Sequence, residues 1–143
     1  MLETDKNITT YETHPLFPSG EWEGFYTYAF GPDADRHKMS FQLDFKKNLI
    51  SGSGSDDIGG FSFKGTYDTK IMKCSMSKHY AAHTVLYEGS VDENGIWGTW
   101  TLEWGRGGFH IWPKPGAEKK VDEIEFSLPE KIQIKVVVIK VNK

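Results

Sequence analysis

The chain has 143 residues, of which 17 are Lys or Arg and 20 Asp or Glu, for a formal net charge of -3. That length suits a single domain that can bury a core without staples, the interspersed charges exclude the basic stripe that a phosphate backbone requires, and the lone cysteine, Cys74, excludes an internal disulfide. The longest apolar-rich run, 136–139, is far short of the roughly 20 residues that span a bilayer, and no signal-peptide pattern opens the chain, so the expected setting is cytoplasmic, with neither nucleic acid nor membrane insertion.

Residues 1–19 read as a polar, extended arm, because Pro15 and Pro18 forbid helix; the arm is expected to lie across an open barrel end. The first strand is expected over 20–30, with Trp22, Gly24, Tyr26, Tyr28 and Phe30 on one face, ended by Gly31-Pro32-Asp33. In the second, Met39, Phe41, Leu43 and Phe45 alternate with Ser40, Gln42, Asp44 and Lys46, the pattern of a sheet with one dry face. Beyond Lys47-Asn48 the glycines at 52, 54, 59 and 60 mark bends or close backbone approach, and Phe61, Phe63 and Tyr67 resume the alternation. A fifth strand is expected over 71–78 and a sixth over 83–91. Asn94-Gly95, a strong hairpin signal, turns the chain into a seventh over 96–104, and Gly105-Arg106-Gly107-Gly108 into a short eighth over 109–112.

Strands of this length and spacing bury their apolar faces only by curling, so the expected fold is all-β, an antiparallel up-and-down barrel of about eight strands spanning 20–116. Residues 117–143 are expected to form an additional C-terminal β segment in which Ile132, Ile134, Val136 and Val138 would share a face. Such a segment is an aggregation hazard as a bare edge; either it covers its own barrel or it makes a homo-oligomer, most simply a two-fold dimer, through 131–141.

Gly20-Glu21-Trp22 at the start of such a meander resembles the calycin group, which comprises lipocalins, fatty-acid-binding proteins and avidin-like barrels, and the tight hairpins resemble the avidin-like branch most. The resemblance implies a tryptophan packed at the closed barrel end under a basic residue near the last strand, a place that Arg106 would fill. Where avidins carry polar partners for biotin, this first strand has Gly24 and Tyr28, so biotin is not implied.

Five tryptophans, six tyrosines and nine phenylalanines supply rings enough to line a barrel. Rings with polar tips orient a small apolar or aromatic ligand, and Tyr28, Phe41, Tyr67, His83, Tyr87 and Trp100 are the candidate lining; the alternative is a barrel simply filled by its own side chains. The segment Lys78-His79-Tyr80-Ala81-Ala82-His83 reads as a loop between the fifth and sixth strands, followed by Tyr87 and Glu88. An enzyme of this type would move a proton with His83 or Glu88 and hold an oxyanion with Tyr87 or Tyr28. His79 and His83, four apart, would face together only on a helix, so no metal site is expected, and no motif calls for a cofactor. The glycine-rich stretch 52–60, with Asp56-Asp57, lacks the lysine and helix of a phosphate loop and reads as a hydrogen-bonded turn. Cys74, on a strand with no adjacent histidine, reads as a buried, inert thiol. The leading function is therefore noncatalytic binding inside the barrel, with a small barrel enzyme and a filled, noncatalytic interaction module as alternatives.

Overall fold

In a computed structural model that describes residues 11–116, eight strands form one closed antiparallel barrel in sequence order. The strands are β1 (Gly20–Thr27), β2 (His37–Lys46), β3 (Leu49–Asp56), β4 (Gly60–Asp68), β5 (Lys73–Tyr80), β6 (Thr84–Asp92), β7 (Gly95–Leu102) and β8 (Gly105–Pro113). The ring closes where β8 pairs β1, from Trp22 opposite Pro113 to Thr27 opposite Gly108. Among the described residues no helix is present, and none is long and apolar enough to cross a membrane. The expected C-terminal β segment, with its contact through 131–141, and the first ten residues of the arm lie outside the described residues.

The period-2 pattern decides which side chains enter the barrel. Met39, Phe41, Leu43 and Phe45 are all buried, and with sixteen other apolar side chains they make one continuous core. On β3 the inward positions are Ile50, Gly52, Gly54 and Asp56, so the stretch read as a glycine-rich turn is mostly a strand, and only 57–59 turn. The glycines are needed there because β2 and β3 approach closely: a Cβ on Gly54 would stand 2.2 Å from the Ser40 carbonyl oxygen and 2.3 Å from Phe41 Cβ. Lys47 and Asn48 both take positive φ, 49° and 67°, the two-residue turn that suits a right-twisted hairpin.

The two barrel ends differ. At one end the arm crosses the opening, with the Glu12 N–H bonded to the Phe45 carbonyl and Phe17 fully buried against Phe45 and Tyr67. Trp22 is buried beside them and donates from Nε1 to the Pro18 carbonyl at 2.8 Å. The other end carries the connections 28–36, 57–59, 81–83 and 103–104. Arg106 lies at this second end, where its guanidinium stands 5.8 Å from the Phe30 ring, a barrel length from Trp22. The expected arginine over the tryptophan is thus overturned. β8 starts at Gly105 rather than 109 and runs away from that rim, so Arg106 opens the strand whose far end meets Trp22.

Candidate functional site

The open end is built by the ends of β1, β3, β5, β6 and β7. β5 is two residues longer at this end than its alternation was read to allow. Lys78, His79 and Tyr80 belong to the strand and only 81–83 form the connection, which corrects the loop expected from Lys78 to His83. The inward series Cys74, Met76, Lys78, Tyr80 therefore carries a lysine into the barrel, where its side chain is fully buried. On the far side of β4, the inward series of β3 ends in Asp56, whose side chain is equally buried.

Lys78 Nζ lies 2.6 Å from Asp56 Oδ2, 3.2 Å from the Tyr87 hydroxyl and 3.1 Å from Met39 Sδ. It also stands 4.3 Å from the centre of the Phe61 ring, 4.9 Å from those of Tyr26 and Tyr80 and 5.2 Å from that of Tyr87, so four rings and a carboxylate take the place of water around the ammonium. Burial lowers the Lys78 pKa to about 8, against the opposing pull of the Asp56 hydrogen bond and charge. Asp56 Oδ2 also accepts from the Tyr80 hydroxyl at 2.5 Å, while its Oδ1 accepts from the backbone N–H groups of Ile58 and Gly59. Such saturation is what a buried carboxylate requires.

Asp57 repeats the device at the rim. It accepts from the Tyr26 hydroxyl at 2.5 Å and meets His37 Nδ1 at 2.6 Å, and the Tyr26 hydrogen bond holds its carboxyl below the usual aspartate range. Burial and their bonds to the two carboxylates push the phenols of Tyr26 and Tyr80 well above the ordinary tyrosine range. Burial does the same to Tyr87. All three are proton donors at neutral pH. Two adjacent acids thus hold one tyrosine each, and one basic group each.

Above this polar layer lies a void of about 30 Å³, bordered by Tyr26, Tyr28, Tyr80, His83, Tyr87 and Trp100 among others. Room for one water remains there; the rest of the lumen is occupied by the core, which narrows the expected interior site to a mouth. Tyr28 projects beyond the end of β1, half exposed, with its ring edge-on to Trp100 and His37. The His83 ring stacks on Tyr80, and Trp100 Nε1 donates to the Thr27 carbonyl. Phe30, Ile58 and Trp104 add exposed apolar surface in the surrounding connections, Trp104 at 72% exposure.

The structure brings Tyr28, His83, Tyr87 and Trp100 to this mouth. Phe41 packs deeper, on Phe61 and Phe63, and Tyr67 sits at the closed end, where its hydroxyl donates to Glu12. Glu88 follows Tyr87 in the same strand and points the opposite way, exposed on the outer wall, so the acid-base set of His83, Glu88 and Tyr87 does not converge. Among the described residues, no group of three or more His, Cys, Asp or Glu is placed to hold a metal ion. Sequence reasoning missed the Lys78–Asp56 pair, although the alternation through Met76, Lys78 and Tyr80 was there to be extended. It also missed His37–Asp57–Tyr26, whose members lie on three different elements.

The closed eight-stranded meander is compatible with a calycin-like barrel. No known protein family, curated protein or solved structure matches the chain.

Proposed function

We propose that the protein binds a small, mostly apolar or aromatic molecule at the open mouth of the barrel, without catalysis. The observation that carries this reading is the asymmetry of the two ends: one is stoppered by Phe17 and Trp22, the other presents Tyr28, Phe30, Ile58 and Trp104 to solvent around a recess floored by tyrosine hydroxyls. Exposed rings gathered over a polar floor are the usual composition of a small-molecule site. His83, Tyr87, Tyr28 and Trp100 act as its polar-tipped lining. The test is titration of the protein with a panel of small aromatic molecules, followed by tryptophan fluorescence. Saturable binding weakened by Tyr28→Ala and Trp104→Ala, and unaffected by Trp97→Ala on the outer wall, supports the site; a panel without saturable binding refutes it.

We further propose that the chain self-associates through 131–141. A closed barrel has no free edge to accept the apolar-faced segment within one chain. Light scattering of the full chain beside a chain ending at residue 116 decides this: a monomeric full-length protein, or an oligomer unchanged by truncation, rules the contact out.

A further inference from the structure

Of the three inward-facing tyrosine hydroxyls beneath the mouth, two are committed to a carboxylate. Tyr26 donates to Asp57 and Tyr80 to Asp56, both at 2.5 Å. Tyr87 differs. Its oxygen accepts from Lys78 at 3.2 Å, which leaves its own proton only the Met39 sulfur, 3.9 Å away. A thioether is a weak acceptor, and at that distance the bond contributes little. The same sulfur, at 3.1 Å, takes one of the Lys78 ammonium protons. Two donors at the floor of one recess therefore share one poor acceptor, in a place where each has lost its water: Tyr87 is 2% exposed and Lys78 not at all.

We propose that the polar end of the ligand is an uncharged carbonyl oxygen, received in the mouth void by the Tyr87 hydroxyl with the Lys78 ammonium behind it. This rests on the mouth being the ligand site. The void borders Tyr87, and at about 30 Å³ it matches a single carbonyl group, while the rest of the molecule lies among Tyr28, His83, Trp100 and Trp104. The charge around the recess selects against an anion. Lys78 is already neutralised by Asp56, and Asp57, held ionised by Tyr26 and His37, stands at the rim. A carboxylate would stand beside the Asp56 and Asp57 carboxylates, whose basic partners are already engaged, whereas a ketone, aldehyde or amide brings two lone pairs and no charge.

The test uses a matched set of probes of one shape: acetophenone, cumene, in which a methyl replaces the carbonyl oxygen, and benzoate. Affinities for wild-type protein and for Tyr87→Phe, a variant that keeps the ring and hence the core, are read from tryptophan fluorescence. The stretching band of carbonyl-labelled acetophenone reports the hydrogen bond directly. The expected result is acetophenone about tenfold tighter than cumene and benzoate in the wild type, since a buried donor gains a partner. That preference collapses in Tyr87→Phe, and the downshift of the bound carbonyl band is lost with it. Equal binding of acetophenone and cumene overturns the carbonyl assignment and leaves the apolar mouth standing, and benzoate as the tightest probe overturns the uncharged class. Binding of none of the three overturns the ligand site itself.

Discussion

Lys78 is the side chain on which the open end turns, and its burial has measurable consequences. Removing one partner of a buried pair strands the other charge, so Lys78→Met is expected to cost about 3–5 kcal/mol, and Lys78→Met with Asp56→Asn markedly less than the sum of the single changes. Urea unfolding of the four proteins checks this; additivity would mean that the pair is not coupled. The pH dependence carries a sign. With its pKa lowered to about 8, folded Lys78 releases a proton that the unfolded chain keeps until its ordinary value, so stability rises with pH across that window. Cys74 opposes it: burial pushes the thiol up to about 12, so above its ordinary value the unfolded chain gives up a proton that the folded chain retains, and stability falls. The raised phenols of Tyr26, Tyr67, Tyr80 and Tyr87 act in the same direction as the ordinary tyrosine value is approached and passed. In a Cys74→Ala background, unfolding free energy is therefore expected to climb between pH 8 and 9, below the onset of tyrosine ionisation, by up to about 1.4 kcal/mol per unit. A flat or falling profile there contradicts a proton lost from Lys78 on folding.

β3 decides the shape of the wall at the scale of a single element. Its inward glycines let the backbone of β2 approach until no Cβ fits at Gly54, while Ser53 and Ser55 face out. Gly54→Ala is expected to destabilise by about 1–3 kcal/mol through overpacking against backbone, and Ser53→Ala to stay within about 0.5 kcal/mol. Thermal unfolding separates the two, and equal effects would show that the close approach is not tight. The course of β3 also places Asp56. Two inward glycines and then an acid carry the carboxylate to the rim without a bulky neighbour to displace Phe41 or Phe61. β5 works by the same parity, and its register opposite β4, Phe63 to Lys78 and Phe61 to Tyr80, sets Lys78 among rings.

For the whole molecule, the two ends are separable. Phe17 fills the closed end from outside the barrel wall, and Phe17→Ala is expected to cost about 3–5 kcal/mol while leaving affinity at the mouth within about twofold, because the two regions are joined only through a packed core. Unfolding and probe titration on the same variant check both parts. A loss of binding without a loss of stability would mean that the arm reaches the ligand site.

Local pattern carries the barrel. Alternation in β2 and β4, the Asn94-Gly95 turn and glycine punctuation are short-range signals, and each is legible because period 2 and positive φ are properties of a few consecutive residues. Trp22 buried at a barrel end is instead what the resemblance of Gly20-Glu21-Trp22 to calycins implies. Pairing between distant strands is not such a property. That Arg106 stands at the rim opposite Trp22 depends on where β8 begins and on its antiparallel course, and that Tyr67 closes the far end depends on register with β5 and on the arm. The local pattern puts Lys78 where a strand gives way to a loop and Asp56-Asp57 in a turn; Lys78 and Asp56 enter the site because the sheet sets β3 and β5 either side of β4 and turns their inward positions toward one another. Sequence alone determined an all-β barrel with an aromatic interior. Only the tertiary structure decided which end is open and which charges stand at its floor, because a charge is tolerated inside only where its partner arrives from another strand.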